Sequence, residues 1–227
     1  LIVDKIINKL ERKIGKYAVH DLMLYIVIAM GAIYALIFLN PQYEIFSYLN
    51  FDRTLILKGQ VWRLISFIVF PDIKNIIFFA ISLYLYWMFG RNLENYWGKF
   101  KFNLFYFTGV ILTIIGGFIT GYNSNMYLNL SLFLAFAFIF PNQVFRIYFV
   151  IPIKVIHLTY IYIGITIISF VTASFPVKIT ILMSFLNLAI FFSDKLYLWF
   201  NNKFKYRKAR GNFRKNYIHH HKNNNND

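Results

Sequence analysis

Long apolar runs alternate along the chain with short polar or charged ones, at intervals that suit helices crossing a bilayer. A spanning helix needs about 20 mostly apolar residues. Leu22 to Leu39 is an uncharged apolar run stopped by Asn40-Pro41, and it reads as the first span. Asn40 to Arg63 is polar and aromatic, carries Glu44, Asp52, Arg53 and Lys58, and reads as a long loop lying at the interface. The pattern predicts five further spans. They run from near Ile73 to Phe89, Leu104 to Thr120, Leu128 to Phe140 (short, and ended by Pro141), Val155 to Ala173, and Ile179 to Ser193. Between them, Gly90 to Asn103 reads as a charged connection, Gly121 to Tyr127 as a polar turn, and Pro141 to Lys154 as an aromatic hinge. Phe175-Pro176 turns the chain between the last two spans. The first twenty residues differ in kind. Ile2, Ile6, Leu10 and Ile14 recur at helical spacing beside Lys5, Lys9, Arg12, Lys13 and Lys16, which predicts an amphipathic helix on the membrane surface. No short apolar core ends there in a small-residue cleavage site, so the segment does not read as a signal peptide. Three regions result: an amphipathic segment over 1–20, a membrane domain over 21–193, and a basic tail over 194–227.

Composition agrees with this division. Apolar residues make up 59% of the chain and charged residues 15%, against ~25% charged in a soluble domain. The 27 Phe and 17 Tyr leave much of the surface facing something other than water. There is no cysteine, which excludes disulfides, thiolate chemistry and cysteine-ligated zinc. A formal charge of +15 would suggest nucleic acid in a soluble protein. Here the placement of the charge matters more. Of the 24 Lys and Arg, 19 fall on the face that holds both termini and five on the other, which by the positive-inside rule predicts cytoplasmic termini. The tail then reads as a topology signal that also meets anionic headgroups. His219-His220-His221 within it is either a weak metal ligand set or part of the low-complexity Asn-rich end.

The sharpest local signal is Gly59-Gln60-Val61-Trp62-Arg63. Trp62 suits headgroup depth, and Arg63 can satisfy loop carbonyls that lipid cannot. Gly90-Arg91-Asn92-Leu93-Glu94 and Gly98 follow, then a glycine-bearing span, then Phe140-Pro141 and Ile151-Pro152-Ile153-Lys154. In this order the elements resemble the rhomboid superfamily of intramembrane serine proteases and their inactive relatives, the derlins, over roughly Leu22 to Ser193. The resemblance implies an all-α, six-transmembrane-helix bundle with an interfacial external loop after the first span. It also implies that Trp62, Arg63 and Glu94 are structural anchors, with Glu94 accepting hydrogen bonds from a loop.

The catalytic positions that the family implies are not filled. A rhomboid nucleophile lies in a Gly-x-Ser-Gly setting on the fourth span, but the matching stretch here is Asn125-Met126-Tyr127-Leu128-Asn129-Leu130-Ser131-Leu132, and no glycine flanks Ser131 or Ser124. Serine needs a base to take its proton, and Ile179 to Ser193 contains no histidine, only Ser184 and Asn187 as polar candidates. His20 precedes the first span, and His157 starts the fifth on the predicted cytoplasmic side. Of the second-span positions that would hold an oxyanion, only Asn75 could donate. The family's close-packing glycines on the sixth span are also missing, and the Gly-x-x-x-Gly pair here is Gly117 and Gly121 on the third. Asp72 and Lys74 read as helix-start residues beside Pro71.

These residues predict a multi-pass pseudoprotease in a bacterial cell membrane that binds or retains client transmembrane segments without cleaving them. Asn75, Asn129, Ser131 and Asn187 are its candidate client-facing polar groups. The expected partners are membrane lipids and a client helix rather than nucleic acid, and no cofactor, metal or catalytic residue is expected. Two alternatives compete with this reading. One is an active rhomboid-type protease whose dyad lies elsewhere; the other is a small transporter or channel, for which paired intramembrane charges and matching broken helices are missing.

Overall fold

The computed structural model describes residues 2–40, 45–70, 75–121, 123–147 and 151–194. Asp72, Lys74 and the tail with its three histidines lie outside the described residues. Helix α1 (Ile2–Ile14) and a single 3-10 turn (Gly15–Tyr17) precede α2 (Leu22–Leu39). Three short helices follow: α3 (Ile45–Leu49), α4 (Arg53–Leu57) and α5 (Arg63–Ser66). The long helices α6 (Ile76–Trp97) and α7 (Lys99–Thr120) lead to α8 (Asn125–Ile139). A two-stranded ribbon, β1 (Val144–Ile147) and β2 (Ile151–Lys154), then leads to α9 (Val155–Thr172) and α10 (Phe175–Asp194).

Among the described residues, five helices, α2, α6, α7, α9 and α10, are long and apolar enough to cross a membrane. This is the make-up of an all-α, multi-pass integral membrane protein. At 1.5 Å per residue the 18-residue α2 spans about 27 Å and the 22-residue α6 and α7 about 33 Å, close to the ~30 Å hydrocarbon core. Helix α8 has 15 residues and spans only about 22 Å. Ten of those residues are buried, so α8 is the central element and its neighbours face outward. Helix α9 lies at the periphery, with Tyr160, Ile161, Ile165, Ile168 and Val171 exposed along its outer side, as lipid contact requires.

Several boundaries differ from those predicted. The supposed charged connection over Gly90–Asn103 is helical except at Gly98, whose φ of 83° turns the chain from α6 into α7. The second span therefore runs to Trp97 instead of Phe89, and the third starts at Lys99 instead of Leu104. Charges at helix ends do not break a helix when they meet water or a partner, and one glycine suffices for the turn. The fourth helix begins three residues earlier than predicted, because Ser124 caps it by accepting from the Met126 N–H at 3.1 Å. The last helix begins at Phe175, so Pro176 falls in its first turn, where a missing N–H costs nothing. The aromatic hinge is an antiparallel ribbon that pairs Val144 with Lys154 and Ile147 with Ile151. Its Phe145 ring packs 6.1 Å from Phe89 and 6.0 Å from Phe136, which holds a ribbon too small to stand alone.

The amphipathic helix also turns a different stripe inward. Val3, Ile7 and Leu10 join the core, while Ile6 and Ile14 stay exposed. The Asp4 N–H donates to Asp194 Oδ2 at 3.3 Å, and Lys101 Nζ donates to Asp4 Oδ1 at 2.7 Å. The helix is thereby fixed across the ends of α7 and α10. Lys101 beside it holds the Asp4 carboxyl below its ordinary range.

Candidate functional site

Arg63, the first residue of α5, is 2% exposed. Its Nη1 donates to the Ser47 carbonyl at 2.7 Å and to the Asn50 carbonyl and Oδ1 at 2.8 Å, and its Nε donates to Gln60 Oε1 at 2.7 Å. Trp62 Nε1 donates to the Tyr48 carbonyl at 3.2 Å, and Ser66 Oγ to the Leu49 carbonyl at 2.7 Å. Residues 60–66 thus clamp the C-terminal half of α3, whose carbonyls have no partner within so short a helix. Arg53 adds a bond from Nη1 to the Phe118 carbonyl at 3.0 Å, tying α4 to the end of α7. Asp52 caps α4 through the N–H groups of Thr54 and Leu55, and the Thr54 hydroxyl also donates to it at 2.6 Å. These bonds favour its charged form and lower its pKa.

At the other end of the bundle, Glu94 is 6% exposed and its Oε1 accepts the Asp21 N–H at 2.9 Å. Asn103, which the sequence reading passed over, completes the clamp. Its Oδ1 accepts the Val19 N–H at 2.9 Å and its Nδ2 donates to the Val19 carbonyl at 2.9 Å, as a strand neighbour would. The segment entering α2 is therefore held by one residue near the end of α6 and one near the start of α7. Gly90 permits this approach, since a Cβ there would lie 2.4 Å from Met23 Cβ. The cluster contains no cysteine and spans 84 positions of sequence, so no spacing pattern announced it. His20, Asp21 and Glu94 each offer a ligand atom, all within 4.8 Å of one another.

The four candidate client-facing residues have different environments. Asn75 is exposed and caps α6, accepting from Ile77 and Phe78 N–H groups at 3.0 and 3.2 Å. Its amide oxygen is thus committed to the first turn of α6. Ser131 is 1% exposed and its Oγ donates to the Leu128 carbonyl at 2.7 Å, one turn back in α8. Asn187 is wholly buried, and its Nδ2 donates to the Phe105 carbonyl at 3.3 Å. It lies where α7, α8 and α10 meet at Gly109. A Cβ on Gly109 would be 2.8 Å from Leu128 Cδ1 and 2.9 Å from Asn187 Nδ2. Asn187 therefore does not share a cavity with Asn129.

The close-packing glycines are also not the predicted pair. Gly109 and Gly116, two turns apart on α7, face α10 at Asn187 and Met183. Gly117 accommodates the Phe51 ring, whereas Gly121 has φ 77° and open space around it, and ends α7. Small residues on α7 supply the approach that α10 lacks. Ser184 adds a hydroxyl bond from α10 to the Tyr127 carbonyl of α8 at 2.5 Å.

Asn129 lines a cavity. The cavity, about 320 Å³ and partly open, lies between α6, α8 and α9, with Ser82, Tyr86, Phe89, Phe133 and Tyr162 among its walls. The walls are almost wholly apolar. Ser82 Oγ is already committed to the Phe79 carbonyl at 2.7 Å. Asn129 is 4% exposed, and its Oδ1 has no hydrogen-bond partner. Among the described residues no histidine faces this cavity; His157 is exposed on the first turn of α9. Asn125, a second residue missed in the sequence, secures the start of α8. Its Nδ2 donates to the Ile68 and Phe70 carbonyls at 3.0 and 2.6 Å. No protein-family model, characterised protein or solved structure matches this chain.

Proposed function

We propose that the chain is a rhomboid-like pseudoprotease with a six-span core, α8 being the short fourth span, that binds or retains client transmembrane segments without cleaving them. Both termini lie in the cytoplasm of a bacterial cell in this reading, on the strength of the Lys and Arg asymmetry. The observation that carries the proposal is the unpartnered Asn129 amide oxygen in an apolar cavity between α6 and α9. A buried acceptor without a donor costs on the order of 1–3 kcal/mol. A polar group on an incoming helix would recover that cost, and apolar walls suit the rest of such a helix. Two further features agree with binding in place of hydrolysis. The Ser131 hydroxyl proton is engaged with Leu128, and α10 presents Ser184 and Asn187 where a base would be needed.

The test uses the full chain in liposomes with donor- and acceptor-labelled partners. A 20-residue apolar peptide with one central asparagine is compared with its all-leucine counterpart. An interhelical hydrogen bond in a membrane contributes ~0.6–2 kcal/mol, so the asparagine peptide should bind about 3- to 30-fold more tightly. Asn129→Leu should erase that difference. Equal binding of both peptides by the native chain, or cleavage of either, refutes the proposal. So does fluorophosphonate labelling that disappears in Ser131→Ala.

A further inference from the structure

Glu94 has a second face that the clamp on Asp21 does not use. Its Oε1 takes the Asp21 N–H, but Oε2 is buried and without a partner, and no Lys or Arg among the described residues pairs with this carboxylate. Asp21 stands beside it in a left-handed conformation, φ 50° and ψ 39°, the one non-glycine residue with positive φ among those described. An aspartate at a helix N-cap ordinarily accepts from the first turn, yet Asp21 makes no such bond. Its carboxylate is turned instead toward His20, with Oδ2 3.1 Å from Nδ1. Two carboxylates and an imidazole therefore converge, with Glu94 buried on the inner side and His20, whose side chain is 77% exposed, on the outer.

We propose that His20, Asp21 and Glu94 form a binding site for one borderline divalent transition-metal ion of the zinc class. One nitrogen and two carboxylate oxygens is a donor set that such ions accept, whereas calcium and magnesium prefer oxygen alone. Bonds of ~2.0 Å in a tetrahedron place ligand atoms about 3.3 Å apart. The three atoms already lie within 4.8 Å of one another, and His20 Nδ1 and Asp21 Oδ2 at 3.1 Å are already at that spacing, so side-chain shifts of about 1.5 Å or less close the set. A cation here offsets the repulsion between the carboxylates and gives Oε2 its missing partner. The open side leaves room for water to complete the coordination. The site would bolt the segment between α1 and α2 onto α6, so its occupancy fixes where the amphipathic helix meets the bundle.

The experiment uses the full chain in lipid nanodiscs, with His219, His220 and His221 changed to alanine so that the tail cannot compete. Co2+ serves as a visible-absorption probe, and Zn2+, Ca2+ and Mg2+ as competitors. The expected result is one Co2+ per chain, displaced by Zn2+ and not by Ca2+ or Mg2+. Glu94 is buried and its replacement could unfold the clamp, so the diagnostic variants are His20→Ala and Asp21→Asn. Both leave the Asp21 N–H bond to Glu94 in place. Each should weaken Co2+ binding by more than the roughly tenfold lost when a partner of a metal ligand is removed. Neither should lower the metal-free unfolding midpoint, and Asp21→Asn, which removes the carboxylate repulsion, should if anything raise it. Absence of stoichiometric Co2+, displacement by Ca2+, or undiminished binding in either variant overturns the proposal.

Discussion

Changing Arg63 to alanine removes a guanidinium whose four hydrogen bonds run between 2.7 and 2.8 Å, from a site 2% exposed. Hydrogen bonds from a charged donor are worth ~1.5–3 kcal/mol each, but these four are not additive. Ser47 and Asn50 are exposed, so water reaches their oxygens once the arginine has gone, and part of the loss is recovered. The cost is also local. Arg63 joins α5 to α3, and α3 can come loose while the long helices stay packed, so the measured effect is capped by that opening. These considerations give about 2–3 kcal/mol, or roughly 30- to 150-fold faster amide exchange over residues 45–52. Exchange over α7 and α8 should change little. Arg63→Lys keeps the charge but not the fork, and should recover about half of the free energy. Hydrogen exchange read by mass spectrometry on protein in nanodiscs resolves the two regions. Exchange over 45–52 within twofold of native in Arg63→Ala would refute the anchor, and uniform acceleration across the bundle would refute its local character.

Gly109→Ala should destabilise the bundle by about 1–3 kcal/mol in denaturant titration, since its Cβ meets Leu128 and Asn187 at under 3 Å. Gly164→Ala on α9 has open space and should be neutral or stabilising by up to ~1 kcal/mol. The Asp4 carboxyl titrates below its ordinary 3.8 because of Lys101, so its contribution is complete above that value and vanishes as pH falls through the lowered one. Spin labels on α1 and α7 should therefore move apart only as pH falls below 3.8, and in Lys101→Met at every pH. A cysteine introduced at position 58 should react with an impermeant reagent from outside the cell, and one at position 11 only after permeabilisation, if the orientation proposed from the positive-inside count holds.

The long uncharged run of α2 could be placed from sequence to the residue, because hydropathy over eighteen positions measures contact with lipid and little else. The α6–α7 junction could not. Arg91, Glu94, Lys99 and Lys101 look like a loop when charge is the criterion, but Glu94 turns inward to a backbone N–H and Lys101 pairs with Asp4. Only the geometry of Gly98 marks the turn. Arg63 and Trp62 were legible because their partners lie within 16 positions. Asn103, Asn125 and the grouping of His20 with Glu94 were not, since their partners are 55 to 84 positions away. Motif spacing also misled. The Gly-x-x-x-Gly pair includes a helix-ending glycine, while the pair that admits α10 is separated by seven.

The shortness of α8 bears on how the chain is made. A 15-residue helix bearing Asn125, Asn129 and Ser131 partitions poorly into lipid by itself. Its polar groups become sheltered in stages. The Ile68 and Phe70 carbonyls are already present when Asn125 emerges from the ribosome. The Gly109 seam and the Ser184 bond wait for α10, some fifty residues later. During synthesis α8 therefore passes through a period in which it depends on α6, α7 and the insertion machinery for cover. A chain stopped after Thr172 would hold its central helix with one side unsealed. Completion of α10, rather than first placement of α8, is the step that commits the described bundle to its final packing.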